Sequence, residues 1–323
     1  MSAARRVFAL SLLSRGVLAG LYPGLSTDNH TCALQPQVLS CSEEAQPGLV
    51  DTCCVETFGG LVLQTQFWNT YTGLETEGQL LPKDSWTIHG LWPDFCNSSY
   101  TQYCDLSRQY DPAPYPTTTD GTPNGTVVEP WTGVPISDFI EPFGKYDLLA
   151  YMRKFWIGLA QDSQILWAHE FSKHATCYST FDIECYGPTY VEHEEIVDFF
   201  TTAASYFQNL PTWGWLSAGG IRPSNTSYYS LEDIQTALSS GYGSLPYVGC
   251  SGPRYNATEA GAGSDDTGYT VLSEMWYYHH VYGAVQRGQA LRVDASVTGG
   301  SVTSCATTPG AIRYYERTAG SHA

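Results

Sequence analysis

The sequence predicts an α+β fold: a central antiparallel β-sheet flanked by helices and stapled by disulfides. Three observations carry this. Strand-like apolar runs stand near both ends of the chain, helical periodicities cluster in its middle, and ten cysteines are scattered along it. At 323 residues, 42% of them hydrophobic, the chain is long enough to bury a substantial core.

The first strand is read in GLVLQTQFW (60–68), where alternation and β-branching describe a buried strand. SWTIHGLW (85–92) follows as its neighbour and ends in a turn. Residues 110–136, rich in Pro, Thr and Gly, read as a surface excursion. YDLLAYMRKFWIGLA (146–160) spaces apolar residues helically, and WAHEFSKHATC (167–177) follows a break at Asp162-Ser163. VEHEEIVDFFTTAASYFQNL (191–210) predicts an amphipathic helix with acids in its first turn, where the helix dipole favours them. SLEDIQTALSS (230–240) opens with Ser230 and Asp233, a loose capping box. TVLSEMWYYHHVYGAV (270–285) returns to strand character, with His279 and His280 read as structural.

The cysteines stand at 32, 41, 53, 54, 96, 104, 177, 185, 250 and 305. They form no C-x-x-C pair, and their spacings do not suit a zinc ribbon or finger. Five disulfides formed in an oxidising compartment are the expectation. Cys53 and Cys54, being neighbours, should bond to different partners. Residues 1–24 begin with Arg5 and Arg6 before VFALSLL and resemble a secretory signal. A catalytic domain over 25–306 and a tail over 307–323 would follow. No later stretch is apolar for the roughly 18 residues that a membrane span needs. Five acceptor triplets, at Asn29, Asn97, Asn124, Asn225 and Asn256, fit a glycosylating export route.

The formal net charge is −17; losing the leader's three Arg leaves 32 acids against 12 bases, or −20. Such a chain cannot live by non-specific phosphate binding, although a few cations gathered in a cleft would still serve. The acid excess also suits acidic surroundings.

HEFSKH resembles the zincin pattern H-E-x-x-H but has one residue too many, because His169 and His174 are five apart. At about 100° per residue, positions 169, 173, 170 and 174 fall near 0°, 40°, 100° and 140°. His169, Glu170, Lys173 and His174 therefore share a face, while Phe171 and Ser172 point elsewhere. A solvated face is the ordinary alternative. Against it, the face is bracketed by Trp167 and Cys177 in a chain with only four lysines. Such a group suits phosphoryl chemistry on RNA. One imidazole takes the proton of a ribose 2′-hydroxyl, another protonates the departing 5′-oxygen, and cations stabilise the phosphorane charge without a metal.

WTIHGLWPD (86–94) and HEFSKHATC (169–177) resemble the two active-site segments of the ribonuclease T2 family, particularly its secreted fungal branch. The order of the ten cysteines extends the resemblance over roughly residues 30–305. By this resemblance His89 would be the general acid and His174 the general base. His169 would bind the scissile phosphate, with Glu170 and Lys173 stabilising the transition state. The implied disulfides are Cys32–Cys54, Cys41–Cys96, Cys53–Cys185, Cys104–Cys177 and Cys250–Cys305. Trp92 and Tyr100 resemble the pair that sandwiches a base, Asp94 would accept from an exocyclic amine, and Gln66 aligns more loosely with a second base site. Three positions depart from the family pattern: Phe171 stands where Trp is usual, Ala175 where Gly is usual, and Leu166 replaces a common aromatic.

The resemblance implies a secreted or vacuolar, monomeric, glycosylated endoribonuclease with no cofactor. It would cut single-stranded RNA to 2′,3′-cyclic phosphates and then 3′-phosphates, with low base specificity and no cleavage of DNA. The alternatives are a ribonuclease-like glycoprotein or effector acting mainly by binding, and an aromatic-rich carbohydrate-active protein. The latter fits the composition but gives no reason for the histidine-lysine cluster.

Overall fold

The apolar run after Gly60 forms β1 (Leu61–Phe67), and the next forms β2 (Thr87–Asp94), in a computed structural model that describes residues 21–22, 28–252 and 269–323. The helices follow: α1 (Ser137–Ile140), α2 (Tyr146–Phe155), α3 (Ser163–Lys173), α4 (Glu194–Gln208), α5 (Thr212–Ala218) and α6 (Leu231–Tyr242). The chain then returns to strands, with β3 (Tyr247–Ser251), β4 (Thr270–Tyr282), β5 (Gln289–Val293) and the short β6 (Ile312–Arg313). The expected leader lies outside the described residues except for 21 and 22, as does Asn256.

The sheet runs β2-β1-β4-β3, with β5 and β6 also on β4. All pairings are antiparallel except β4 with β6, so the sheet is mixed rather than purely antiparallel. One face carries the helices. α4 buries Ile196, Phe199, Phe200, Ala203 and Phe207, a helical stripe that meets Val62, Ile88 and Leu91 of the sheet. A second cluster joins Leu216, Ile234 and Leu238 of α5 and α6 to Met275 and Tyr277 of β4.

One irregularity matters for function. The β1–β2 register passes from Thr65↔Gly90 to Gln66↔Ile88, leaving His89 as an extra residue in β2. A bulge of this kind resets the in/out alternation. Ile88 and Leu91 both enter the helical core, while His89 and Trp92 come together on the other side.

Five disulfides join Cys32–Cys54, Cys41–Cys96, Cys53–Cys185, Cys104–Cys177 and Cys250–Cys305. Among the described residues no cysteine is free. Cys41–Cys96 fastens the end of β2, and Cys104–Cys177 fastens the end of α3.

Three expectations need correction. The 110–136 segment is not wholly a surface excursion. Tyr110 packs on Phe171 and Phe139, and Asp111 is fully buried. Residues 307–323 are not a separate tail. Tyr314 is fully buried and accepts a hydrogen bond from Trp86 Nε1 at 3.0 Å, and Leu81 pairs with Ser321 and Ala323 through the backbone. Ser230 does not cap α6 with its side chain; its hydroxyl accepts from Gly310 N–H at 2.9 Å.

Removing the Tyr314 ring would open a cavity between Trp68 and Trp86, which both contact it. Tyr314→Ala is expected to cost about 3–5 kcal/mol in urea unfolding. A loss below about 1 kcal/mol would show that the C-terminal segment is dispensable.

Candidate active site

His89 is held from four directions. Its carbonyl accepts from Trp156 Nε1 at 2.8 Å, and its ring stacks on Phe67 with centroids 3.8 Å apart. Its Nδ1 lies 2.8 Å from Glu274 Oε1, and its Nε2 lies 3.6 Å from Glu170 Oε1. The sheet explains Glu274: β1 pairs Phe67 with Glu274 on one side and with Thr87 on the other, so carboxylate and imidazole flank one aromatic ring.

The second group depends on how α3 is fixed. Asp162 caps its start by accepting from Gln164 N–H, and Phe171 enters the core. Trp167 Nε1 donates to the Trp156 carbonyl at 2.7 Å, which sets the helix rotation. At the far end Tyr103 N–H donates to the Lys173 carbonyl, and Cys104 N–H donates to the Thr176 hydroxyl. The Cys104–Cys177 bond closes the same corner.

This anchoring brings the predicted face onto the edge of β2. Glu170 is fully buried; its Oε2 accepts from Trp92 Nε1 at 2.9 Å, and its Oε1 has no hydrogen bond. The approach is so close that a Cβ on Gly90 would lie 1.8 Å from Glu170 Oε2, so only glycine fits there. His169 Nδ1 lies 2.7 Å from Asp111 Oδ2, and Tyr103 donates its hydroxyl to the same oxygen at 3.2 Å. His174 stacks on Trp92, with centroids 5.1 Å apart and planes 18° apart. Its own ring is 8% exposed, whereas His89 and His169 keep 20% and 18% of their side-chain surface and open the site to solvent.

Burial, reinforced by Lys173, His169 and His89, pushes the His174 imidazole well below its ordinary pKa. Burial also lowers Lys173, against the opposing pull of Glu170 and Asp111. The cluster thus offers an unprotonated imidazole, a second imidazole braced by a carboxylate, and the cation of Lys173 near the first. That arrangement can take a proton at one point and deliver one at another. Donor atoms of His169, Glu170 and His174 lie within 4.8 Å of one another, a spacing that a divalent ion could also use. The i, i+5 interval does not forbid this, because α3 ends at Lys173 and the chain tightens into a 3₁₀ turn at Ala175–Cys177.

Of the residues assigned to base binding, Trp92 and Asp94 lie on the same strand as His89. One face of Trp92 is covered by His174, and Trp276 packs against the same indole at 5.5 Å, which limits the ring surface that a nucleobase can reach. Burial raises the Asp94 carboxyl to about 7. Tyr100 is 69% exposed. Gln66 does not belong with them. It is fully buried on the helical side of β1, where its amide is engaged by Gln64, Leu210 and Thr212. The two departures on α3 and Ala175 are all core positions: Leu166, Phe171 and Ala175 are 8%, 0% and 0% exposed. His279 is buried against Tyr206 and Tyr242 and pushed down to about 3 by desolvation, so it is a neutral packing residue.

Sequence reasoning missed Glu274, Asp111 and Tyr103. Glu274 had a signal, as the one acid in the otherwise apolar and aromatic run of β4. Asp111 had none within a Pro-rich loop.

The profile of the Ribonuclease T2 family matches residues 59–279. Ribonuclease Trv of Hypocrea rufa is 36% identical over 255 residues, covering 79% of this chain and 87% of that protein. Ribonuclease Le2 of Lentinula edodes is 35% identical, covering 81% of this chain and 89% of its own length. Other relatives are longer: the chain spans 53% of the ribonuclease T2-like protein of Aspergillus fumigatus, at 35% identity. The crystal structure of the T2 ribonuclease Actibind superposes with a TM-score of 0.64 at 31% identity, covering 88% of this chain and 97% of that one.

The raised Asp94 carboxyl has a measurable consequence. A group that binds its proton more tightly when folded than when unfolded stabilises the fold at low pH. That contribution is lost as pH rises from the unfolded value, about 4, through about 7. Thermal melts of Asp94→Asn against the parent chain should therefore show the substituted chain gaining relative stability over that window. A constant difference between them would refute the assignment.

Proposed function

The chain belongs to the ribonuclease T2 family, and we propose that it is a secreted endoribonuclease that cuts single-stranded RNA by transphosphorylation. The observation that carries this reading is the meeting of His89 and His174 on one indole. Trp92 touches the first edge-on at 4.7 Å and stacks on the second at 5.1 Å.

His174, kept unprotonated by burial, removes the proton of the ribose 2′-hydroxyl. The 2′-oxygen attacks the adjacent phosphorus, forming the 2′,3′-cyclic phosphate and expelling the 5′-oxygen. His89 protonates that oxygen. Glu274 at Nδ1 fixes the ring so that Nε2 faces the leaving group. Lys173 and His169 stabilise the charge on the nonbridging oxygens, with His169 oriented by Asp111. In the second step water replaces the leaving group and the two imidazoles exchange roles, opening the cyclic ester to a 3′-phosphate. DNA, which lacks the 2′-hydroxyl, has no nucleophile to offer.

Stacking on Trp92 and on Tyr100 accepts any base, while Asp94 adds a mild preference for an exocyclic amine. Asn29, Asn97, Asn124 and Asn225 are exposed, as glycan acceptors must be. Among the described residues no helix is long and apolar enough to cross a membrane. Export through an oxidising compartment, as a monomer, fits the five disulfides.

Purified protein in excess chelator should degrade RNA and leave matched DNA and polysaccharide intact. Loss of RNA cleavage on chelation would instead assign the His169–Glu170–His174 group to a metal. His89→Ala and His174→Ala should each lower kcat/KM by about 10³-fold or more; a variant at the parental rate would end the assignment.

Glu274→Gln should lower kcat about 10-fold or more with little change in KM. The acid limb, set by His174, should lie below pH 6.5 in every variant that retains it. An unchanged kcat in Glu274→Gln would remove Glu274 from the mechanism.

A further inference from the structure

The C-terminal segment carries an arrangement that neither the fold nor the proposed chemistry uses. Arg317 is 8% exposed, with its guanidinium 4.1 Å from the centre of the Trp68 ring. Its Nε donates to the Asn69 carbonyl and one Nη to the Ser85 carbonyl, at 3.2 and 2.8 Å. The other Nη is buried and has no acceptor, and buried His322 Nδ1 also has no partner. Buried polar groups are ordinarily satisfied, so two such atoms, on side chains that both line one depression, leave donor capacity just beneath its wall.

Arg317 and His322 line a depression of about 330 Å³ together with Lys83, Arg222 and Trp213. Through Lys83, Asp84 and Trp213 it adjoins a second depression of about 490 Å³, which holds Lys154, Tyr151 and Phe155. The anions of this groove are Asp84, Glu316 and the carboxylate of Ala323, with Glu316 engaged by Asn225 Nδ2 at 3.0 Å. Four side-chain cations thus face three anions, a local excess of one positive charge on a chain whose net charge is −17.

Resting on the ribonuclease reading, we propose that this groove is a remote subsite for the RNA chain. Arg317, His322, Lys83 and Arg222 would hold a phosphodiester, and Trp213 and Tyr151 would meet flanking bases. A groove that combines cations with aromatic side chains suits a single strand. The position also fits. Ser85, which anchors Arg317, stands four residues before His89, about 13 Å along an extended chain. An acidic protein repels RNA at a distance, so a long substrate gains from a cationic hold that a short one cannot reach.

Lys83 and Arg222 are exposed, and neither lies in the catalytic cluster. The test compares K83A/R222A with the parent on a dinucleoside monophosphate and on a twelve-nucleotide single strand. Turnover of the dinucleotide by the parent checks the ribonuclease reading by itself. The double variant should retain that turnover and lose about 10-fold in kcat/KM on the longer strand. Its slope of log kcat/KM against log salt should be shallower by about 1.4, for two lost phosphate contacts at roughly 0.7 each. Equal losses on both substrates, or none on either, would overturn the subsite. So would a shift of the His322 ring resonance with inorganic phosphate but not with the twelve-mer bound to His89→Ala, which would assign the groove to a free anion.

Discussion

The site depends on one extra residue in a strand. Without the bulge at His89, strict alternation from the buried Ile88 would turn Leu91 away from the helical core, or else turn His89 and Trp92 to opposite faces. With it, one strand supplies two core anchors and two site residues within five positions. The carbonyl of the bulged residue is taken by Trp156, whose own carbonyl receives Trp167 of α3. One indole therefore ties the irregular strand to the helix that carries the other histidines, and their separation is set by packing.

Charge is handled by the same economy of contacts. His89 and His169 each rest Nδ1 on a carboxylate, Glu274 and Asp111 respectively, while His174 has an aromatic ring over it instead. Burial among cations favours the neutral form of His174. Chemically identical side chains thereby sit in different surroundings.

Most of the architecture was legible in the sequence because its cause is local. Period-two and period-3.6 patterns located β1, β2, α2, α4, α6 and β4 to within a few residues. The face shared by His169, Glu170, Lys173 and His174 follows from helix geometry alone. The two rare segments around His89 and His174 also made the family resemblance readable. What was not legible is set by tertiary pairing. Gln66 aligned loosely with a second base site, but unbroken alternation along β1 puts it on the buried side with Val62 and Gln64. Glu274 enters the site only because β1 lies between β4 and β2. Asp111 and Tyr314 sit in low-pattern stretches, and their burial depends on partners, Ser172 and Tyr103 for the one segment and Trp86 for the other, that no spacing reveals.

The adjacent pair Cys53 and Cys54 has a further consequence. Because one bonds to Cys32 and the other to Cys185, the two closed rings meet end to end. Any single peptide bond broken between Cys32 and Cys185, including one in the exposed part of the Pro-rich loop, leaves both fragments covalently joined. His89 and His174 both lie inside that span. A protease acting once on this molecule would nick it without parting the two segments that carry these histidines, a form of durability that depends on chain connectivity and not on folding free energy.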